Sequence, residues 1–122
     1  MTKNYLVTGA TGFIGSQVCM ELLEAGSRVV GVDNLNDYYD VRLKEWRLAQ
    51  LTKSSSSQNF HFERLDIEDL SSLKDLFEKN RSFDAVLNLA ARAGVRYSME
   101  NPYVYLSTNT EGTLNLLECM RS

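Results

Sequence analysis

The sequence predicts an α/β fold, a parallel sheet with helices on both faces built from about four βα units. Three observations carry this prediction. Short apolar, strand-like runs alternate with segments of helical spacing, an order that calls for parallel strands joined by crossover helices. A glycine cluster, Gly9, Gly12 and Gly15, follows the first strand and opens the first helix. A carboxylate, Asp33, closes the second strand eighteen residues after Gly15.

Each element has its own local reason. Lys3 to Thr8 holds the apolar run Tyr5, Leu6, Val7, a buried strand that breaks into the glycine-rich turn. From Phe13 to Ala25, the residues Ile14, Val18, Cys19, Leu22 and Leu23 recur at three- and four-residue spacing, and Gly26 stands where a helix C′ residue is wanted. Arg28 to Val32 is β-branched and apolar, ends at Asp33, and gives way to a polar loop from Asn34 to Asp37. Tyr39 to Thr52 is read as a second helix with an imperfect stripe. Val41, Leu48 and Leu51 share one face, Lys44 interrupts it, and Leu43 and Trp46 point elsewhere. The serine run Ser54 to Ser57 with Gln58 and Asn59 is a solvated loop.

Phe60 to Leu65 alternates as a third strand ending near Asp66. Asp69 can cap a third helix through Leu70, Leu73, Leu76 and Phe77, and Asp84 to Ala91 is a fourth apolar strand. Asn101 and Pro102 read as N-cap and N1 of a last helix carrying Leu106, Leu114, Leu117 and Met120.

The chain has 122 residues, 43% hydrophobic and 24% charged, which fits one domain and leaves no room for two. A net charge of -3 argues against chain-wide attraction to nucleic acid or an anionic membrane, so any anion must be held locally. With neither a signal peptide nor a long apolar run, the expected setting is soluble and cytoplasmic. Cys19 and Cys119 lack CxxC or histidine spacing, so no metal site is expected and both thiols are read as buried and reduced.

Glycines at 9, 12 and 15 let backbone N–H groups approach a pyrophosphate, and the helix N-terminus adds partial positive charge. The absence of a Gly-Lys-Ser/Thr ending argues against a P-loop, so a dinucleotide fits better. Asp33 can accept hydrogen bonds from ribose hydroxyls and would repel a 2′-phosphate, and no arginine lies among Asn34, Leu35, Asn36 and Asp37, so NAD is favoured over NADP. A loop aspartate can also be only a turn former. Asp66 and Ile67 either meet an adenine ring or simply start a helix.

TGATGFIG at 8 to 15, Asp33-Asn34, Asp66-Ile67 and Asn88-Leu89-Ala90-Ala91 together resemble the extended short-chain dehydrogenase/reductase family of NAD-dependent nucleotide-sugar epimerases and dehydratases. DNLNDYYDVRLKEWRL at 33 to 48 and AGVRYSMENPYVYLSTNTEGTLNLLE at 93 to 118 are similar to the UDP-glucuronate 4-epimerases within it. The resemblance implies the N-terminal part of a Rossmann-type fold, truncated after about four βα units, with the substrate domain absent. It implies an NAD-dependent C4 epimerisation of UDP-glucuronate and UDP-galacturonate through a 4-keto sugar. It also implies that Gly9, Gly12, Phe13, Ile14 and Gly15 line the pyrophosphate, Asp33, Asn34, Leu35 and Asn36 the adenosine ribose, and Asp66 and Ile67 the adenine. Leu89, Ala90, Ala91 and Thr108 would border the nicotinamide side, while Gly94, Val95 and Arg96 would face the sugar. Arg96 could clamp a uronate carboxylate or stand as a solvated surface residue.

The family's Tyr-x-x-x-Lys is missing, since Tyr5, Tyr38, Tyr39, Tyr97, Tyr103 and Tyr105 are each followed four positions on by a residue other than lysine. No catalytic residue is therefore assigned, and this chain is expected to lack epimerase activity. Arg92 stands where relatives more often carry glutamine. His61 is given no catalytic part, and Trp46 with the pair Tyr38-Tyr39 is read as core or loop packing. A stand-alone NAD-binding module, or a related dehydratase or reductase, is the alternative. Self-association is expected through the last helix or through a sheet edge carrying Ala85, Val86, Leu87 and Leu89.

Overall fold

The computed structural model describes residues 3–35, 41–53, 57–80, 83–90 and 110–121. The strands are β1 (Asn4–Thr8), β2 (Arg28–Asp33), β3 (Phe60–Arg64) and β4 (Ala85–Asn88). The helices are α1 (Phe13–Glu24), α2 (Val41–Lys53), α3 (Leu70–Lys79) and α4 (Gly112–Arg121), and a short 3-10 turn, Ser57–Asn59, precedes β3.

The strands form one sheet in the order β3-β2-β1-β4, with every pairing parallel. Tyr5 lies opposite Val29 on one side and Ala85 on the other, so β1 is central. Its consecutive residues Leu6 and Val7 are both fully buried because the pleat sends them to opposite faces, each covered by helices. Leu6 joins Leu65, Ile67, Leu73, Leu76, Leu116 and Cys119 beneath α3 and α4. Val7 joins Ala10, Cys19, Leu23, Val29 and Leu51 beneath α1 and α2. The predicted two-faced α/β sheet is thus observed.

Gly26 adopts φ +89 just after α1, as its position predicted. Asp69 caps α3: its Oδ1 accepts from the Ser72 N–H at 3.2 Å and its Oδ2 from the Ser72 hydroxyl at 2.7 Å. These bonds hold its carboxyl below the usual carboxylate range, the hydroxyl contributing most.

Four expectations need correction. Lys44 does not spoil the inner stripe of α2 but belongs to it, buried with Leu51 one face along the helix. Trp46 is not core, being 59% exposed because that inward face turns it to solvent. On α4 the buried residues are Gly112, Leu116 and Cys119, while Leu114, Leu117 and Met120 lie on the open face. Gly112 sits against the Ile67 side chain, and this close approach fixes the rotation of α4. The third and fourth strands are shorter than expected, closing at Arg64 and Asn88. Tyr38, Tyr39, Arg92, Asn101, Pro102 and Leu106 lie outside the described residues. Among the described residues no helix is long and apolar enough to cross a membrane.

Candidate functional site

Parallel strands deliver all their C-terminal ends to one rim of the sheet, and the order reverses direction at β1, between β2 and β4. A crevice outside such a switch point is where open α/β sheets bind ligands. Four segments meet there: the turn after β1, Asp33 to Leu35 after β2, Asp66 and Ile67 after β3, and Leu89 and Ala90 after β4.

The turn after β1 requires glycine. Gly9 has φ +67, and a Cβ on it would meet the Leu89 carbonyl oxygen at 2.7 Å and the Ala90 nitrogen at 2.9 Å, both backbone atoms. A methyl on Gly15 would overlap the Gly9 carbonyl, so α1 begins as close to the turn as a backbone can. Gly12 is the N-cap residue of α1, with no side-chain cap and no acidic residue in the first turn. Among the described residues, therefore, no side-chain anion caps the first-turn N–H groups. Phe13 and Ile14 beside them are 80% and 62% exposed.

Thr8 ties this turn to β4. Its fully buried hydroxyl donates to Asn88 Oδ1 at 2.6 Å and accepts from the Leu89 and Ala90 N–H groups at 3.0 and 3.1 Å. Asn88 in turn donates to the Thr113 hydroxyl on α4 at 2.9 Å.

Asp33 is the hub of the other side, only 6% exposed. Its Oδ2 accepts from the Thr11 hydroxyl at 2.7 Å and from the Thr11 N–H at 3.2 Å. Its Oδ1 accepts from the Leu35 N–H at 2.9 Å and from the Lys44 ammonium at 3.4 Å. A buried carboxylate demands such partners. The Leu35 bond also holds that residue at φ 54, a left-handed conformation a leucine rarely adopts. Arg47 donates to the Thr11 carbonyl at 3.3 Å and lies 5.7 Å from the centre of the exposed Phe13 ring.

Asp66 serves first as a turn residue, its Oδ1 accepting from the Glu68 N–H at 2.9 Å, while its Oδ2 faces the Asn34 amide at 3.4 Å. The Ile67 side chain is buried, and its carbonyl accepts from Asn115 of α4 at 2.9 Å.

The structure thus brings together Gly9, Gly12, Phe13, Ile14, Gly15, Asp33, Asn34, Leu35, Asp66, Ile67, Leu89 and Ala90 along one rim. Asn36, Ala91, Gly94, Val95, Arg96 and Thr108 lie outside the described residues. Residue-by-residue reading missed Thr8, Thr11, Lys44 and Arg47. The available signal was the break at Lys44 in an otherwise apolar stripe. His61, at the opposite end of the sheet, pairs at the surface with Glu63 at 3.2 Å. Burial pushes the Cys19 thiol up to about 12 and also raises that of Cys119, and both cysteines are free. Among the described residues no cluster of metal-ligating side chains is present.

The model of the GDP-mannose 4,6 dehydratase family matches residues 6–122. A UDP-glucuronate 4-epimerase of Thermodesulfobacterium geofontis is 57% identical over 117 residues, spanning 96% of this chain and 35% of the relative. UDP-glucuronate 4-epimerase 2 of Arabidopsis thaliana is 51% identical over 96% of this chain and 26% of its own length. Among solved structures, the UDP-glucuronic acid 4-epimerase of Bacillus cereus, in complex with UDP-glucuronic acid and NAD, is 36% identical with a TM-score of 0.83. That match covers 97% of this chain and 36% of the other. The chain therefore spans about a third of the length of the relatives it matches.

Proposed function

The chain belongs to the GDP-mannose 4,6 dehydratase family, and from that premise we propose that it is the NAD-binding portion of a UDP-glucuronate 4-epimerase. The observation that carries the proposal is the combined rim. A glycine turn with no room for side chains leads into an uncapped helix start, and a buried carboxylate stands at the end of the neighbouring strand. These residues fit NAD. Gly9, Gly12, Phe13, Ile14 and Gly15 would take the pyrophosphate on backbone N–H groups and the positive end of α1. Asp33, with Asn34, Leu35 and Asn36, would take the adenosine ribose, and Asp66 with Ile67 the adenine. Leu89, Ala90, Ala91 and Thr108 would border the nicotinamide.

Bound there, NAD would supply a reversible hydride acceptor for oxidation and reduction at C4 of the sugar. This chain's own residues hold and orient; Gly94, Val95 and Arg96 would meet the nucleotide sugar. Nothing described here stands ready to take the C4 hydroxyl proton, and no tyrosine in the chain is followed at the fourth position by lysine. The chain alone is accordingly proposed to be inactive. Self-association through the β4 edge or the open face of α4, and a cytoplasmic setting, belong to the same proposal.

The test is calorimetric titration of the chain with NAD⁺. Saturable binding that Asp33→Ala weakens is expected; no binding by a folded chain would sink the cofactor reading. Turnover of UDP-glucuronate by the pure chain would overturn its inactivity. A related dehydratase or reductase is the second reading, favoured by the dehydratase for which the family model is named.

A further inference from the structure

Helix α4 reaches the rim at two residues, Thr113 and Asn115, and the second falls on the loop after β3. Asn115, half-buried, donates to the Ile67 carbonyl at 2.9 Å and to the Glu68 carbonyl at 3.1 Å. An amide nitrogen carries two hydrogens, so one side chain can satisfy two consecutive carbonyls and fix both peptide planes. These carbonyls lie between β3 and α3, so their partners must come from outside the repeating bonds of either element. Earlier on the same helix, Gly112 lies so close to Ile67 that a Cβ on the glycine would meet Ile67 Cδ1 at 2.5 Å. The Ile67 segment is thus held by its side chain at Gly112 and by its backbone at Asn115.

The same loop orients Asp66. Its carbonyl accepts from the Asp69 N–H at 2.9 Å, and its Oδ1 accepts from the Glu68 N–H at 2.9 Å. That N–H and the Ile67 carbonyl belong to one peptide unit, so the Asn115 bond at one end of the unit sets the direction of the donor at the other. With Oδ1 engaged inside the turn, Oδ2 is the oxygen that faces Asn34 at 3.4 Å, across the rim. On the reading of this rim as a dinucleotide site, we infer that Asn115 is a positioning residue for the adenine, acting through the 67–68 peptide to aim the Asp66 carboxylate. Adenine would present its 6-amino donor to that carboxylate, whereas hypoxanthine presents an oxygen there. Choice of base is therefore set in part from α4, by a side chain that acts without touching the nucleotide.

The probes are 5′-AMP and 5′-IMP, whose bases differ at the 6-position and in the proton on the adjacent ring nitrogen. Each is titrated calorimetrically into the chain and its Asn115→Leu variant, which is near-isosteric and has no donor, with folding checked by thermal unfolding. The unsubstituted chain is expected to prefer AMP by about tenfold, the effect of one hydrogen bond, and Asn115→Leu to bring that ratio below about threefold. A merely structural loss would lower both affinities and leave their ratio, so an unchanged ratio in a folded variant overturns the inference. Should Asn115→Leu unfold, nuclear magnetic resonance of the unsubstituted chain decides: AMP is expected to shift the Asn115 side-chain amide signals more than IMP does, and equal or absent shifts overturn the inference. A folded, unsubstituted chain that binds neither nucleotide, or both alike, sinks the placement of adenine at Asp66 on which the inference rests, a failure seen without any variant and so distinct from these.

Discussion

The two sides of the central strand β1 are finished differently. Toward β2, the rim is closed by the protein's own contacts, with Asp33 holding Thr11, Leu35 and Lys44 at once. Toward β4, the strand is four residues long and stands at the edge of the described sheet, and α4 beside it leaves Leu114, Leu117 and Met120 more than half exposed. The difference teaches how such a domain divides its labour. The side that would take the adenosine half gathers its polar bonds on one buried carboxylate, and the side that would take the reacting half adds open apolar surface on α4 to its Thr8–Asn88–Thr113 bonds.

The largest expected effect is on packing. Leu51 on α2 is 1% exposed, and Leu51→Ala should cost about 3 kcal/mol through lost burial and a residual cavity. Leu117→Ala on the open face of α4, where the side chain is 56% exposed, should stay within about 0.5 kcal/mol. Denaturant unfolding of both variants measures the contrast, and equal losses would show that the α4 face is covered in solution.

Next comes the hub. Lys44→Ala should cost about 2 kcal/mol, because it removes the cation paired with Oδ1 of the buried Asp33 carboxylate, which the Leu35 N–H continues to bond at 2.9 Å. Lys44→Met keeps the packing of the stem, so the difference between the two variants in chemical denaturation separates packing from charge. A Lys44→Ala protein as stable as the unsubstituted chain would show that the pair contributes little.

These two predictions also mark what a sequence can and cannot reveal. The β1 turn and α1 were legible because every cue is local: an apolar run, glycines at fixed offsets, and Gly26 at the helix end. Lys44 looked like a flaw in a stripe because the reason for its burial lies on another element, eleven residues back. The inward face of α4 was misjudged for a similar reason. Leucine spacing favoured Leu114, Leu117 and Met120, but Gly112 against Ile67, and the Asn115 amide on the Ile67 carbonyl, turn the helix so that Leu116 and Cys119 face in. Thr11 was part of a recognised motif, yet its bond to Asp33 spans 22 residues and no local pattern announces it.

The cysteines sharpen the comparison by reactivity. Cys19 lies fully buried on the inward face of α1, with its thiol pushed up to about 12 by burial. Cys119 lies on α4, 8% exposed, and its thiol is also raised by burial. Alkylation followed by mass spectrometry near neutral pH should modify Cys119 first and Cys19 only as the chain unfolds. The sign of the pH effect is fixed. A folded thiol at about 12 against an ordinary value of 9.0 means that the unfolded chain ionises first, so the contribution of Cys19 to stability is full below 9.0 and declines as pH rises toward 12. A Cys19→Ala protein should show a weaker alkaline loss, and identical alkaline profiles would contradict the burial argument.

The smallest effect lies at Asp69, where α3, the helix that packs with α4, begins at the surface. Its carboxyl is held below the ordinary 3.8 by the Ser72 hydroxyl and the Ser72 N–H. A lowered folded value contributes stability that is present above 3.8 and is lost as pH falls through the folded value. Asp69→Asn retains a capping oxygen but does not titrate. Thermal midpoints of the two proteins should therefore differ slightly at neutral pH, the aspartate being higher, and converge under acid. A gap that stays constant down the pH series would mean that the cap works by geometry alone, without its charge.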